Sequence, residues 1–207
     1  MAIKASSSRQ IDALVTDLAS ADAVKREAAI ARLTVLGARA VERVATLAAS
    51  TAAGPARSAA FRTLEGIADP RGLEPALQAL ADADQGVAVA AIAVVRLFVR
   101  SARAAAAVDR LTAVTLDRRR PEPVRLAALR ALRDLEAATI APLLKSLSAD
   151  PSQVIRGAAA APPAQRVTER DPLDTLAQAA NEGLPTIRTR SGWPSFRRAA
   201  SRRCRNC

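Results

Sequence analysis

Histidine and tyrosine are absent from the 207 residues of this chain. Histidine is the commonest general base and neutral metal ligand, and tyrosine is the usual phenolic acid, so enzymatic hypotheses lose their most frequent catalytic groups. The two cysteines, Cys204 and Cys207, stand at the extreme C-terminus, so no disulfide can link parts of the folded body. We therefore expect a non-enzymatic chain with no cofactor and no metal ion, stabilised by packing.

Aromatic residues and long apolar runs are also scarce. The chain contains three phenylalanines and one tryptophan, although half of its residues are apolar, and many of these are alanine. This composition predicts closely packed helices and no strands. No apolar run approaches the roughly 20 residues that span a bilayer, and the N-terminus lacks the apolar core of a secretory signal. We therefore expect a cytoplasmic protein.

The positive charge is concentrated near the C-terminus. The net charge is +11, and the last 22 residues hold seven arginines and no acidic residue. Residues 1–150 are only mildly basic, with 21 lysines and arginines against 16 aspartates and glutamates. A basic tail of this kind is typical of a contact with an anionic partner or of a solvated end.

The chain contains an internal repeat. Four apolar positions recur at gaps of 31, 31 and 37 residues: Leu33, Leu64, Val95 and Leu132. A small residue stands four positions before each and recurs once more: Ala29, Ala60, Ala91, Ala128 and Ala158. Because apolar residues within each unit follow three- and four-residue steps, the period predicts stacked two-helix units.

The first helix of each unit supports the same register. Leu73 and Leu80 recur 67 residues later as Ile140 and Leu147, and 67 is the sum of the last two gaps, 37 and 30. We therefore predict that both helices of a unit keep one register. The extra residues of the 37-residue gap fall in 101–123, which predicts a lengthened first helix and a longer turn. The alternative is a partner-contacting protrusion that carries the three arginines of 118–120.

Capping residues predict several helix boundaries. Asp22 is placed to cap the second helix, and Gly37 can end it in a left-handed conformation. Gly54 and Pro55 mark the turn inside the second unit. Asp69, Asp82 and Asp84 are interpreted as further capping or solvating groups. The prolines at 162 and 163 must stop the last helix of the fifth unit early.

These signals divide the chain into three parts. Residues 1–8 form an N-terminal extension, residues 9–193 hold five units and a degenerate sixth, and residues 194–207 form a basic tail that we expect to be disordered. Cys204 and Cys207 fit the C-x-x-C pattern but lack the other ligands of a zinc site, which favours a loose pair of thiols.

Two segments resemble a known family. Residues 124–135 read Val-Arg-Leu-Ala-Ala-Leu-Arg-Ala-Leu-Arg-Asp-Leu, and residues 69–77 read Asp-Pro-Arg-Gly-Leu-Glu-Pro-Ala-Leu. Both resemble HEAT repeats in their short bacterial form, also called phycobilisome-lyase-type HEAT-like repeats, and the resemblance covers about residues 9–190. It implies an all-α, right-handed α-solenoid of stacked antiparallel helix pairs. It also implies that the second helices line a concave surface used mainly for protein contacts.

Between the buried positions of the second helices lie six arginines that we expect to point outward. These candidate binding residues are Arg57, Arg62, Arg96, Arg125, Arg130 and Arg133. They could form a basic ridge that engages an acidic protein surface or successive phosphates. Alternatively, Arg57 and Arg125 are structural and bond to turn carboxylates or carbonyls, while the other four keep the surface soluble.

The predicted function is that of a monomeric, non-catalytic adaptor that binds a partner protein along the second helices, where the six arginines favour an acidic partner. One alternative is nucleic-acid binding through the ridge and the arginine-rich tail, although the stacking aromatics of many such binders are missing. Another, implied by the resemblance alone, is a bilin lyase-like or lyase-accessory protein.

Overall fold

The computed structural model of the protein describes residues 2–162, with side chains from Ser8 onward. In this part of the chain every regular element is helical, so the all-α prediction is confirmed for these residues. The α-helices are α1 (Ala2–Leu18), α2 (Ala23–Leu36), α3 (Val41–Ala48), α4 (Gly54–Ile67), α5 (Leu73–Ala79), α6 (Gln85–Arg96), α7 (Ala104–Leu116), α8 (Glu122–Leu132), α9 (Ala137–Leu147) and α10 (Gln153–Ala160). Short 3-10 helices span Gly37–Arg39 and Pro70–Gly72. The predicted sixth unit, the basic tail and both cysteines lie outside the described residues.

Successive helices pack as pairs, and the pairs contact their neighbours through the even-numbered helices. Contacts join α1 to α2, α3 to α4, α5 to α6, α7 to α8 and α9 to α10. A second series of contacts runs from α2 to α4, α6, α8 and α10 in that order. Each predicted two-helix unit therefore corresponds to one observed pair, and the even helices form the layer in which neighbouring pairs meet.

The repeated apolar positions form the core of this layer. Leu33, Leu64, Val95 and Leu132 are all buried, as are the alanines four residues before them at 29, 60, 91 and 128. Small side chains at those positions let neighbouring helices approach closely, while each buried leucine contributes roughly 1.5–3 kcal/mol by leaving water. The period read from the sequence is therefore the spacing of the buried face.

The odd helices keep the predicted 67-residue register. Leu73 and its counterpart Ile140 are both buried, as are Leu80 and its counterpart Leu147. These residues face the paired even helices, so the repeated pattern again marks the side of each helix that is removed from water.

The fifth even helix departs from that register by one residue. Ser152 caps α10 as Asp84 caps α6, and these caps are 68 residues apart. Ala159, which is 31 residues after Ala128, is buried, whereas Ala158 is half-buried. The prediction of one register for both helices is therefore wrong in the fifth unit, because the step from Leu147 to the cap Ser152 is one residue longer than the equivalent step from Leu80 to Asp84.

Several helix boundaries follow the capping signals. The Asp22 carboxylate accepts hydrogen bonds from the N–H groups of Val24 and Lys25, at 2.8 and 3.4 Å. Gly37 ends α2 with a positive φ of 60°, but its ψ of −137° differs from the left-handed helical value that was predicted. This backbone leads directly into the first 3-10 helix.

The other predictions about helix ends and lengths were partly wrong and partly confirmed. Gly54 and Pro55 are the first residues of α4 and not the turn before it, because proline at the start of a helix loses no intrahelical bond. Helix α1 begins at Ala2, earlier than residue 9. The lengthened first helix of the fourth unit is confirmed as the 13-residue α7, and α10 ends at Ala160, before Pro162.

Substituting Gly54 by alanine should destabilise the fold by about 1 kcal/mol or more, the usual effect of losing a helix cap. A Cβ at Gly54 would lie 1.8 Å from Oδ2 of Asp84, whose other oxygen caps α6. Gly157 provides the matched control, since a Cβ there meets nothing within 4 Å and alanine favours the helix. Urea denaturation followed by circular dichroism should show Gly54→Ala destabilised and Gly157→Ala slightly stabilised; equal effects would contradict the clash.

Candidate functional site

Arg125 of α8 is a buried structural residue. Its side chain donates from Nε to the Thr115 carbonyl at 2.9 Å, from Nη1 to Asp150 Oδ1 at 3.3 Å, and from Nη2 to Asp150 Oδ2. Arg125 and Asp150 are each only 4% exposed, and Asp150 also accepts from the Ser152 N–H at 2.9 Å. This ion pair joins the end of α7, the start of α8 and the turn before α10.

Arg57 of α4 forms the equivalent pair two units earlier. Nε donates to the Ala48 carbonyl at 3.1 Å, and Nη2 donates to Asp82 at 2.5 Å. In both pairs the carboxylate follows the arginine by 25 residues and lies in the turn of the next unit. We call Arg57–Asp82 and Arg125–Asp150 the inter-repeat ion pairs.

The prediction that Arg57 and Arg125 point outward is therefore wrong. Each is the fourth residue of its even helix, on the side that faces the next unit, and its guanidinium is used within the chain. Of the two interpretations that the sequence left open, the structure shows the structural one. The third unit has Ala88 at this position, and there Arg120 donates to the Asp82 carbonyl instead, at 3.1 Å.

Both carboxylates of the inter-repeat ion pairs hold their protons more weakly than usual. The hydrogen bond from Arg125 lowers the pKa of Asp150 most, burial opposes this shift, and the Ser152 N–H adds to it. Burial acts to raise the pKa of Asp82, but the hydrogen bonds from Arg57 and the Asp84 N–H outweigh it and lower the pKa. The folded state therefore favours the charged form of both groups.

These shifts predict a stability that falls in acid. The folded pKa values lie below the unfolded value of about 3.9. At pH values around and between these pKa values the unfolded chain therefore binds more protons than the folded chain. The contribution of Asp82 and Asp150 to the free energy of unfolding is complete above the unfolded pKa and is lost as the pH falls through the folded pKa values. Urea denaturation from pH 6 downward should show that the free energy of unfolding falls less steeply with decreasing pH in Asp82→Asn and Asp150→Asn than in the unsubstituted chain. An unchanged decline in both variants would contradict this origin.

A second set of charges crosses the outward face of the even helices. Arg62 bonds to both oxygens of Glu27 on α2, at 2.5 and 2.9 Å, and Arg96 bonds to Asp134, which follows α8, at 2.5 Å. The pKa of Arg62 is raised first by its bond with Glu27 and further by the charge of Glu65, and that of Arg96 first by Asp134 and further by Glu65. Glu27, Arg62, Glu65, Arg96 and Asp134 thus form a line of alternating charge, which we call the charge ladder.

The remaining two predicted site residues differ from each other. Arg133 donates to the carbonyls of Ala158 and Ala161 at the C-terminal end of α10, where a cation is favoured by the helix dipole. Arg130 is exposed and forms no side-chain hydrogen bond or ion pair with the described residues. The structure therefore brings Arg62 and Arg96 onto one surface, where three carboxylates accompany them.

The carboxylates of these networks were not recognised from the sequence as partners of the arginines. The signal was available, because Asp82 and Asp150 stand at the same offset from Arg57 and Arg125, but it becomes visible only when the 68-residue register of the even helices is known. Over residues 2–162 there is no cluster of three or more acidic or cysteine side chains that could hold a metal ion, and no helix there is both long and apolar enough to cross a membrane.

No protein-family model matches the chain, and no curated protein is significantly similar to it.

Proposed function

We propose that this chain is a protein-binding scaffold, built as a right-handed α-solenoid of HEAT-like repeats, that binds its partner along the outward face of the even helices. The contacts of α2, α4, α6, α8 and α10 in chain order support the stacked arrangement. Antiparallel pairing within each unit, a monomeric state and a cytoplasmic location belong to the same proposal.

The observation that carries the proposal is the charge ladder. The side chains of Arg62 and Arg96 are 50% and 55% exposed, yet each is held by a carboxylate of a neighbouring unit. Arginines held in this way lose less side-chain entropy on binding than free ones, while their remaining N–H groups can still donate to a partner. The surface is thus ordered before a partner arrives.

The ladder also changes the expected chemistry of the partner. Glu27, Glu65 and Asp134 carry three negative charges against the two positive charges of Arg62 and Arg96, so the surface matches a protein with both signs of charge better than a uniformly acidic one. The exposed Arg130 lies beyond the ladder on α8 and would pair with a carboxylate of the partner.

The test starts from partners captured in the native host and identified by mass spectrometry, followed by binding measurements with the purified partner. Charge reversal at Arg62, Arg96 and Arg130 should weaken this complex at least tenfold. Lys145→Glu on α9 is the matched control, since this lysine is exposed on an odd helix. Equal binding by the triple variant and the control would refute the proposed surface.

The charge ladder and the inter-repeat ion pairs weaken the alternative that the even helices bind nucleic acid. Sequence-independent binding needs arginines that are free to replace counterions at phosphates. Here five of the six candidate arginines are engaged within the chain: Arg57, Arg62, Arg96, Arg125 and Arg133. The remaining support for nucleic-acid binding is the arginine-rich tail. The lyase-like alternative is supported by the family resemblance alone.

A further inference from the structure

The repeat shows which side of an even helix faces the preceding unit. A Cβ at Gly66 of α4 would lie 3.0 Å from Thr34 of the preceding α2, and one at Gly86 of α6 would lie 3.4 Å from Ser58 of α4. The positions three, six and ten residues after each N-cap lie on that same side of the helix. In α4 and α6 all six of these positions are buried: Ala56, Ala59, Thr63, Val87, Ala90 and Val94.

The same positions of α2 are exposed, because α2 belongs to the first described pair. They are Lys25, Ala28 and Arg32, and the neighbouring Ala31 and Val35 are exposed as well, Val35 by 88%. We call these five residues the α2 end face. A groove lined by Gln10 of α1 and by Ala31, Arg32, Val35 and Leu36 lies along it. This surface adjoins the α2 end of the charge ladder, because Glu27 lies one helical turn before Ala31, but it lies away from the part of the proposed binding face around Arg96 and Arg130.

The end face combines a narrow apolar strip with two cations. Lys25 and Arg32 form no side-chain hydrogen bond or ion pair with the described residues, and none of the five end-face residues is acidic. Arg32 is seven positions after Lys25, which corresponds to about 10.5 Å along a helix. Between them Ala28 occupies the position at which Ala59 and Ala90 allow close helix packing inside the array.

We propose that the α2 end face binds an amphipathic acidic helix of another protein. Two carboxylates seven residues apart on that helix would meet Lys25 and Arg32, and small apolar residues between them would pack on Ala28, Ala31 and Val35. A second copy of the chain fits this surface less well, because two end faces placed together would bring like charges into contact.

The test uses two synthetic helical peptides of alanine and leucine that carry either glutamates or lysines at positions i and i+7. Fluorescence anisotropy with the full chain should show binding of the glutamate peptide and at least tenfold weaker binding of the lysine peptide. The double variant Lys25→Glu, Arg32→Glu should reverse this preference, whereas Lys145→Glu should leave it unchanged. Since both replaced residues are exposed, circular dichroism should show the same helical content.

Three outcomes would overturn the proposal. The first is equal affinity for both peptides, or affinity unchanged in the double variant. The second is a dimer in sedimentation equilibrium that Val35→Asp dissociates, which would place a second copy on the face. The third is a carbodiimide cross-link within one chain between Lys25 and a carboxylate of residues 163–207. Charge reversal at Arg96 and Arg130, which are not on α2 and do not pair with it, should leave peptide binding intact, so failure here is distinguishable from failure of the proposed function.

Discussion

Replacing Asp150 by alanine is expected to lower the free energy of unfolding by about 3–5 kcal/mol, the typical effect of breaking a buried ion pair. The substitution leaves the Arg125 guanidinium buried without its carboxylate, and it also removes the acceptor of the Ser152 N–H. Because the guanidinium also bonds to the Thr115 carbonyl at the end of α7, it cannot turn to solvent without losing that bond as well.

Urea denaturation of three variants separates burial from charge. Glu27→Ala is the matched control, since it removes the carboxylate of an exposed ion pair, which contributes little to stability. The double variant Arg125→Met, Asp150→Leu should regain much of the loss, because apolar groups of similar volume need no partner. If Asp150→Ala were no more destabilising than Glu27→Ala, the inter-repeat ion pair would have no structural role.

Replacing Leu132 by alanine is expected to cost about 2–5 kcal/mol through lost burial and the cavity left behind. Leu132 is fully buried at the end of α8, in the core that joins α8 to its neighbouring pairs. Ala128, one turn earlier, is equally buried and too small to fill the space. The two inter-unit contacts of α8, with α6 and α10, should both weaken.

Hydrogen exchange measured together with urea denaturation provides the check. In an array whose units contact only their neighbours, Leu132→Ala should lower protection in α7, α8 and α10 before it does so in α1 and α2. Leu97→Ala is the control, because Leu97 is 43% exposed and follows α6 directly. A uniform loss of protection along the whole chain would show that the pairs unfold as one unit.

The features predicted correctly from the sequence are local ones. The caps at Asp22 and Asp84 depend on a side chain and N–H groups two or three residues away. The buried positions Leu64 and Leu132 follow from helical spacing within one segment. Such interactions are decided over a few residues, so the sequence beside them is sufficient evidence.

The errors at the candidate site concern contacts between units. Arg57 and Arg125 fall between apolar positions, which favours an outward side chain, but the turn of the next unit covers that side of the helix. The register of α10 was misplaced because one added residue before its cap shifts the helix without changing its own pattern. Ala158 and Ala159 are identical in the sequence, and only burial distinguishes them.

By itself, the sequence determined the helical class, the period, the buried face of most helices and several helix ends, because these depend on spacing and on neighbours along the chain. The tertiary structure decided which arginines are free, since a guanidinium is neutralised by whichever carboxylate the packing brings within reach. Arg125 and Asp150 are 25 residues apart in the chain but in direct contact in the fold. The exposure of Lys25 and Arg32 was likewise decided by position in the stack, because the same helix face is buried in α4 and α6, each of which follows a described pair.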